Sequence, residues 1–282
     1  EKDKTIMHMF NSKSVLDGLD IENLPIGLFG DFYSHELTFF LIKNNDLKNL
    51  KNIFYKNNLK IKKILLKDFV EGADLIKQNN DTETFFKIKV NKTTTNLNFF
   101  EKSSFRFAQN FSFGSNIILN DISKVCSISH EMIQKILSSN SLNNINSDND
   151  LIEKEYFVKS NYRKIRKKLI MEIVDARIEE ICKIVLNKNI NIQSFLNNYK
   201  GKVYITISDN IITKNFRENL NTFFLTNKNF ETKFIHMIEP KEKMLSINSV
   251  ADLTFYGWRK EAIPITQTKS SLITRIFKSL FD

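Results

Sequence analysis

Apolar residues along this chain recur at two spacings, every second position as in a half-buried strand and every three or four as in a helix. Residues 5–10 alternate weakly and read as a strand. A loop follows over 17–20 and 24–30, where Pro25, Gly27 and Gly30 mark turns. Residues 36–43 form an apolar run of strand length. Over 46–57, Leu47, Leu50, Ile53 and Phe54 take helical spacing with Asp46 placed to cap, and 61–66 returns to a strand. Phe69, Ala73 and Ile76 mark a short helix. Residues 85–90, 97–100 and 105–111 are three strands joined by short polar turns, which predicts an antiparallel meander.

From residue 117 the period becomes helical. Ile118, Ile122 and Val125 share one predicted face, and Met132, Ile136 and Leu137 another. A polar loop rich in Asn and Ser spans 138–150. The longest predicted helix covers 162–186, with Ile165, Leu169, Ile173, Ala176, Ile181 and Ile184 as its inner stripe. A strand over 203–207, a helix over 216–224, a strand over 233–238 and a helix over 245–256 complete the pattern. Strands, a helical insertion, then strands and helices predict an α/β or α+β chain with an inserted helical subdomain.

The stretch 269–282 stands apart. Leu272, Ile273, Ile276, Phe277, Leu280 and Phe281 form one apolar stripe, and Lys269, Arg275 and Lys278 lie off it. Ser270 or Ser271 can cap its first turn. The segment is too short to span a bilayer but suits a helix lying in the membrane plane. Half-burying six such side chains contributes roughly 6 kcal/mol, a partition constant of order 10⁴ M⁻¹. A single copy would therefore hold weakly. The polar stretch 259–268, with Pro264 inside, reads as a tether.

Composition sharpens this picture. At 282 residues the chain can bury a sizeable core, and its net charge of +10 fits an acidic partner or surface. The abundance of Lys, Asn, Ile and Phe resembles the drift of an AT-rich genome, which discounts the charge as a signal. Two cysteines, Cys126 and Cys182, give no disulfide framework and fit a reducing compartment. The 25 Phe outnumber 7 Tyr and 1 Trp and sit in core-patterned strands, so they read as packing rather than base-stacking platforms. The four histidines, His8, His35, His130 and His236, form no ligand spacing, which leaves hydrolytic and redox chemistry without a candidate centre and gives no metal site.

Four stretches, taken in order, resemble FtsA, the actin-like cell-division family of bacteria. The first is Ile6 to Phe10 with Leu16-Asp17-Gly18 and the segment 25–30. The second is the hairpin over 87–100 with the strand and helix at 110–122. The third is 171–180 (MEIVDARIEE), similar to the long helix of subdomain 2B. The fourth is a closing helix ending Phe255-Tyr256-Gly257, followed by a linker and an amphipathic tail. The specificity lies in the order, since each motif alone is weak. The resemblance implies an actin/Hsp70-like ATPase fold with an SHS2-type 1C subdomain (1–67), a first part of core 2A (68–111), an inserted 2B-like subdomain (112–190), a second part of 2A (191–258), a linker (259–270) and a membrane-targeting helix (271–282). It also implies that most of the family's first subdomain, with its first phosphate loop, lies outside this sequence, so the chain is expected to be a fragment.

Where the family's second phosphate loop reads Asp-Ile-Gly-Gly-Gly-Thr-x-Asp, this chain has Lys89-Val90-Asn91-Lys92-Thr93-Thr94-Thr95-Asn96. Asn91, Lys92 and Thr93 replace glycines that let backbone N–H groups approach phosphate, and Lys89 replaces a carboxylate on the magnesium side. Only Thr94 is kept. The adenosine-side turn likewise becomes Thr206-Ile207-Ser208. ATP and magnesium, expected for the family, are therefore not expected here, although Lys89 and Lys92 could attract phosphate. Arg177 and Glu180 match positions the family uses to hold the C-terminal peptide of FtsZ, and Arg163 matches a nearby basic position; Arg163, Lys164, Arg166, Lys167 and Lys168 supply a basic rim at the helix start. Arg suits such a rim because its planar fork binds carboxylates at two points. The plainer reading of Arg177 and Glu180 is an i,i+3 ion pair on a solvated helix.

Together these features predict a non-enzymatic adaptor at the cytoplasmic face of the cell membrane, at the division site. Its FtsZ-binding face would hold filaments, and Leu272, Ile273, Arg275, Ile276, Phe277, Lys278, Leu280 and Phe281 would hold anionic lipid. Self-association and late division proteins reaching 1C are further expected partners. The competing readings are a nucleotide-dependent actin-like ATPase that polymerises and, with less support, a basic nucleic-acid binder.

Overall fold

The computed structural model describes residues 3–22, 25–79, 82–139, 142, 147–158, 161–196, 202–207, 235–238 and 243–262. It is a mixed α/β chain that divides into two compact units. The helix expected over 216–224 and the tail over 271–282 lie outside the described residues, as do Ser208, Lys269, Ser270 and Pro264.

The first unit comprises Glu1–Thr84, Phe99–Phe107 and Glu242–Asp282. Strand β1 (Lys4–Leu16) turns into β2 (Leu19–Ile21) through Asp17 and Gly18, both at positive φ, as a two-residue Asp-Gly hairpin turn requires. The other edge of β1 pairs antiparallel with β3 (Tyr33–Lys43), and β9 (Glu261–Ala262) joins β1 at Met9 and Phe10. The Asp17 carboxylate accepts the N–H groups of Asp31 and Phe32 at 3.0 and 2.7 Å, which pins the loop leading to β3. Helix α1 (Asn44–Lys56) follows β3 directly, beginning two residues before the expected cap, so Asp46 lies in its first turn and the chain enters from an uncapped Lys43. Helices α2 (Lys67–Gln78) and α7 (Lys243–Phe255) pack together, with Ser249 Oγ donating to Asp74 and Lys77 paired to Asp252 at 2.9 Å.

Aromatic rings fill this unit. Phe10, Phe69, Phe100 and Phe105 are fully buried, with Phe40 stacked on Phe105 at 4.3 Å and Phe10 edge-on to Phe69 at 4.9 Å. Gly72 lets α2 lie against the Phe100 ring, where any Cβ would collide. Residues 61–66, expected as a strand, join no ladder among the described residues. No described strand lies beside them, and the segment is held instead by Leu66 N–H donating to His8 Nε2 and by Lys63.

The second unit comprises Phe85–Asn98 and Ala108–Lys241. Its strands are β4 (Phe85–Val90), the first part of β5 (Thr95–Glu101), the last part of β6 (Ser104–Phe111), β7 (Lys202–Ile207) and β8 (Ile235–Ile238), in the sheet order β6-β5-β4-β7-β8. The first three follow one another through tight turns as the meander predicts, whereas β7 runs parallel to both β4 and β8. Between β6 and β7 come α3 (Asn116–Cys126), α4 (His130–Ser138), α5 (Lys167–Cys182) and α6 (Ile190–Leu196). Ser127 in the left-handed conformation ends α3, and Ser129 Oγ caps α4 by accepting the Met132 N–H.

The long helix departs from its expected form. It starts at Lys167 rather than 162, because Ile152 N–H donates to Ile165 O and Lys167 N–H to Asp150 O, drawing 163–166 into an extended pair with 150–152. Its buried stripe is Ile170, Val174, Ile178, Ile181 and Cys182, continued by Val185 and Leu186 in a closing π-helical turn. Ile165 and Ile181 are buried as expected, whereas Leu169, Ile173 and Ile184 are half-buried and Ala176 exposed. On α3, Val125 is 59% exposed, and Cys126 takes the inward place instead.

Candidate functional site

The residues expected to form a phosphate loop lie at the β4–β5 turn. Lys89 and Val90 are the last residues of β4, with Lys89 opposite Thr206 of β7, and Thr95 and Asn96 already belong to β5. Asn91, Lys92, Thr93 and Thr94 make the turn. It closes on itself: Asn91 N–H donates to Thr94 O at 2.8 Å, and the Asn91 amide donates to Thr94 Oγ1 and Asn96 Oδ1. The start of α3 then docks on it, with Ser115 N–H donating to Asn91 O at 3.0 Å and Asn116 N–H to Lys92 O at 2.9 Å.

That docking decides what the turn can do. The first N–H groups of a helix are a ready anion site, and here they are given to loop carbonyls. Gly114 seals the contact, since a Cβ there would strike Asn91 O and lie 2.8 Å from both Lys92 C and Thr94 N. Thr95 Oγ1 donates to Phe113 O beneath it. A phosphate needs convergent donors, and this turn offers α3 two acceptors. The residues present do not fit a nucleotide phosphate. The expected adenosine turn is not a turn at Thr206 or Ile207 either, because both lie inside β7.

The four residues expected to hold a partner peptide separate into two places. Arg177 and Glu180 lie on α5. Arg177 Nε donates to Asp121 of α3 and its Nη1 to Glu180 Oε2 at 2.5 Å, so the guanidinium ties α5 to α3. Arg163 and Arg166, with Lys164, are exposed but sit on the extended segment rather than on the helix face. Lys167 is buried with its ammonium donating to Glu153, and Lys168 pairs with Asp148 at 2.9 Å. The basic rim is thus two exposed arginines and a lysine before α5, with the next two cations neutralised. Of the free thiols, Cys182 is pushed up to about 12 by burial and Cys126 is raised by burial, which leaves both inert.

Leu272, Ile273, Arg275, Ile276, Phe277, Lys278, Leu280 and Phe281, expected from the sequence to bind membrane, lie outside the described residues; β9 is the last described element before them. At β9 the Glu261 carboxylate accepts from His8 Nδ1 at 2.6 Å and Lys63 Nζ at 2.9 Å. His8 is fully buried. Because its Nε2 accepts the Leu66 N–H, its ring proton sits on Nδ1 and faces Glu261. Burial alone would push the Glu261 carboxyl up, but the His8 and Lys63 hydrogen bonds outweigh it and hold the group below its usual range. Sequence reasoning missed this clasp because His8 and Glu261 are 253 residues apart.

Between β2, which covers Ser14–Leu16, and β9, which covers Met9 and Phe10, no described strand pairs with β1 over Asn11–Lys13, although Asn11 N–H donates to Lys260 O at 2.8 Å. A cleft of about 310 Å³ results. Part of its charge is matched within it: Lys13 and Lys102 lie 3.2 and 3.8 Å from Asp20, while Lys260 donates to the Glu22 backbone carbonyl. Desolvation lowers the Lys260 pKa, with Glu22 opposing it. Among the described residues no group of His, Cys, Asp or Glu could hold a metal ion, and no helix is long and apolar enough to cross a membrane.

No protein-family model and no curated protein matches the chain. Solved structures to which it is similar include MreB 5 of Spiroplasma citri bound to AMPPNP, at 13% identity and a TM-score of 0.48 over 75% of this chain. The PilM-PilN type IV pilus biogenesis complex matches 95% of this chain at 6% identity and a TM-score of 0.47. The ethanolamine utilization protein EutJ from Carboxydothermus hydrogenoformans matches 74% at 12% identity and a TM-score of 0.45. The chain spans 65%, 62% and 61% of those chains respectively, under two thirds of each.

Proposed function

We propose that this chain is an adaptor on an actin-like core that has given up nucleotide, holding a division-ring filament to the cytoplasmic face of the cell membrane. The observation that carries the reading is the closed β4–β5 turn, whose carbonyls take the α3 N–H groups that a phosphate would need. The order of elements supports the actin-like part: a meander, a helical insertion, then parallel strands returning to the same sheet. The resemblance to FtsA, carried by the sequence, supplies the partners. The C-terminal peptide of FtsZ would reach the exposed Arg163 and Arg166, with Arg177 and Glu180 on the neighbouring helix, and the apolar stripe of the tail would lie on anionic lipid.

The deciding experiment is titration of the purified protein with a fluorescent ATP analogue and magnesium. No saturable signal is expected. Saturable binding would return the chain to the competing reading, an actin-like polymer governed by its nucleotide. Two further measurements test the grips separately. Phe277→Glu with Phe281→Glu should release the protein from anionic liposomes, and Arg177→Ala should weaken FtsZ-peptide binding while leaving liposome binding alone.

A further inference from the structure

We propose that two copies of this chain pair antiparallel along the outer edge of β3, about a two-fold axis at Thr38. The proposal goes beyond the adaptor reading and does not depend on it. Strand β3 is eleven residues long and lies at the end of its sheet, with no described strand on its outer side. Its pairing with β1 is interrupted by two register shifts, and at both the extra residue, Met7 or Ser12, is in β1, so the edge strand itself runs without a bulge.

Natural edge strands are blunted against such pairing by lysines, prolines, bulges or shortness. This chain has 42 Lys and Arg in 282 residues, yet places none between Tyr33 and Ile42, and no proline either. The edge instead exposes Tyr33, Phe39 and Leu41, at 42%, 47% and 46%. Pairing about Thr38 sets Leu37 against Phe39, His35 against Leu41 and Tyr33 against Lys43, with no like charges opposed.

What identifies a second copy as the occupant lies at the two ends of the strand. Before β3 the loop exposes Leu28, Phe29 and Phe32 at 60%, 100% and 64%. After it comes α1, whose apolar residues are at helical spacing and none of which is buried, with Ile53 at 61% and Phe54 at 39%. Eleven residues of strand hold the end of this loop and the start of α1 about 35 Å apart. Antiparallel pairing brings the loop of each copy beside the α1 of the other, twice, and adds apolar area to what strand pairing alone would bury.

Sedimentation equilibrium of the full chain at micromolar concentrations tests this. The wild type should show twice the monomer mass, and Leu37→Lys with Phe39→Lys should reduce it to a monomer with an unchanged far-UV circular dichroism spectrum. Should that variant fail to fold, Thr38→Cys gives an independent readout. Cys126 and Cys182 are buried, so mild oxidation should link two Thr38→Cys copies and leave Leu28→Cys copies unlinked. A wild type that stays monomeric, or a dimer equally stable in the lysine variant, overturns the proposal. So does a dimer abolished by Phe277→Glu with Phe281→Glu but kept by the β3 variant, which would assign association to the tail.

Discussion

Gly114→Ala tests the closed turn most directly. The added methyl meets backbone on three sides, Asn91 O, Lys92 C and Thr94 N, and none of these can swing away as a side chain would. For room, the turn must lift from α3, breaking Ser115 N–H to Asn91 O and Asn116 N–H to Lys92 O. Two hydrogen bonds at about 1 kcal/mol each and an overpacking strain of about 1–3 kcal/mol give a loss of roughly 3–5 kcal/mol. Gly18→Ala is the control. It has open space around its Cβ site, and only its φ of +81° opposes a side chain, so it should lose about 1–2 kcal/mol. The assay is urea unfolding followed by far-UV circular dichroism and by fluorescence of the sole tryptophan. Trp258 belongs to the first unit, where its Nε1 donates to Ser103 O, and so reports that unit alone, while Gly114 lies in the second. A Gly114→Ala protein with an unshifted circular dichroism transition would refute the sealed turn, and with it the argument that no phosphate enters there.

Other consequences follow from single contacts. Glu261→Ala leaves the buried His8 Nδ1–H without its acceptor and the Lys63 ammonium with Leu253 O alone, and should destabilise the first unit by about 2–3 kcal/mol, read by Trp258 fluorescence; no shift would mean the clasp carries nothing. The depressed Glu261 pKa means its contribution is complete above the ordinary carboxylate range and is lost as pH falls through the lower folded value, so Glu261→Gln should flatten the acid limb of a stability-against-pH curve. Asn98 is 1% exposed, and neither amide atom has a partner among the described residues, so Asn98→Leu should raise the unfolding free energy by about 1 kcal/mol or more, read as a higher urea midpoint; a lower midpoint would show that the amide is satisfied. Ser129→Ala removes the α4 cap and should lose about 1 kcal/mol by circular dichroism.

Local chemistry made most elements legible. Asp17-Gly18 announces its hairpin because few other pairs accept two positive φ angles in succession, and the phenylalanine-rich strands at 85–111 could be read because their partners are adjacent in sequence. What sequence reasoning missed depends on partners far along the chain. The 162–166 stretch has helical periodicity and good helix formers, but its backbone is taken by 150–152, and misplacing the start moved the expected inner stripe of α5 off its buried face. Residues 61–66 look like a strand because Ile61, Ile64, Leu65 and Leu66 make a short apolar run, and nothing local says that no described strand stands beside them. The site was half legible. The loss of glycines at 91–93 argued against phosphate, yet the sealing contact belongs to Gly114, whose role appears only when α3 closes over the turn.

The clasp and the β3 edge bear on each other because both act through β1. The two-residue pairing of β9 is too short to resist load by its backbone bonds, so whatever pulls on the chain beyond Ala262 is resisted by the Glu261 side chain locked to His8 in β1 and to Lys63. That same strand supports β3 along its other edge. Two copies joined at β3 would therefore carry two tails, each fastened to the strand behind the joint. Under the proposed lipid contact, a partition constant of order 10⁴ M⁻¹ would leave a lone copy weakly attached, whereas a second tail on the same body would bind at high effective concentration and strengthen attachment about 10²- to 10⁴-fold without any new contact. Pairing would thus decide whether the anchor holds, and a weak tail would be what makes membrane attachment respond to the protein's own concentration.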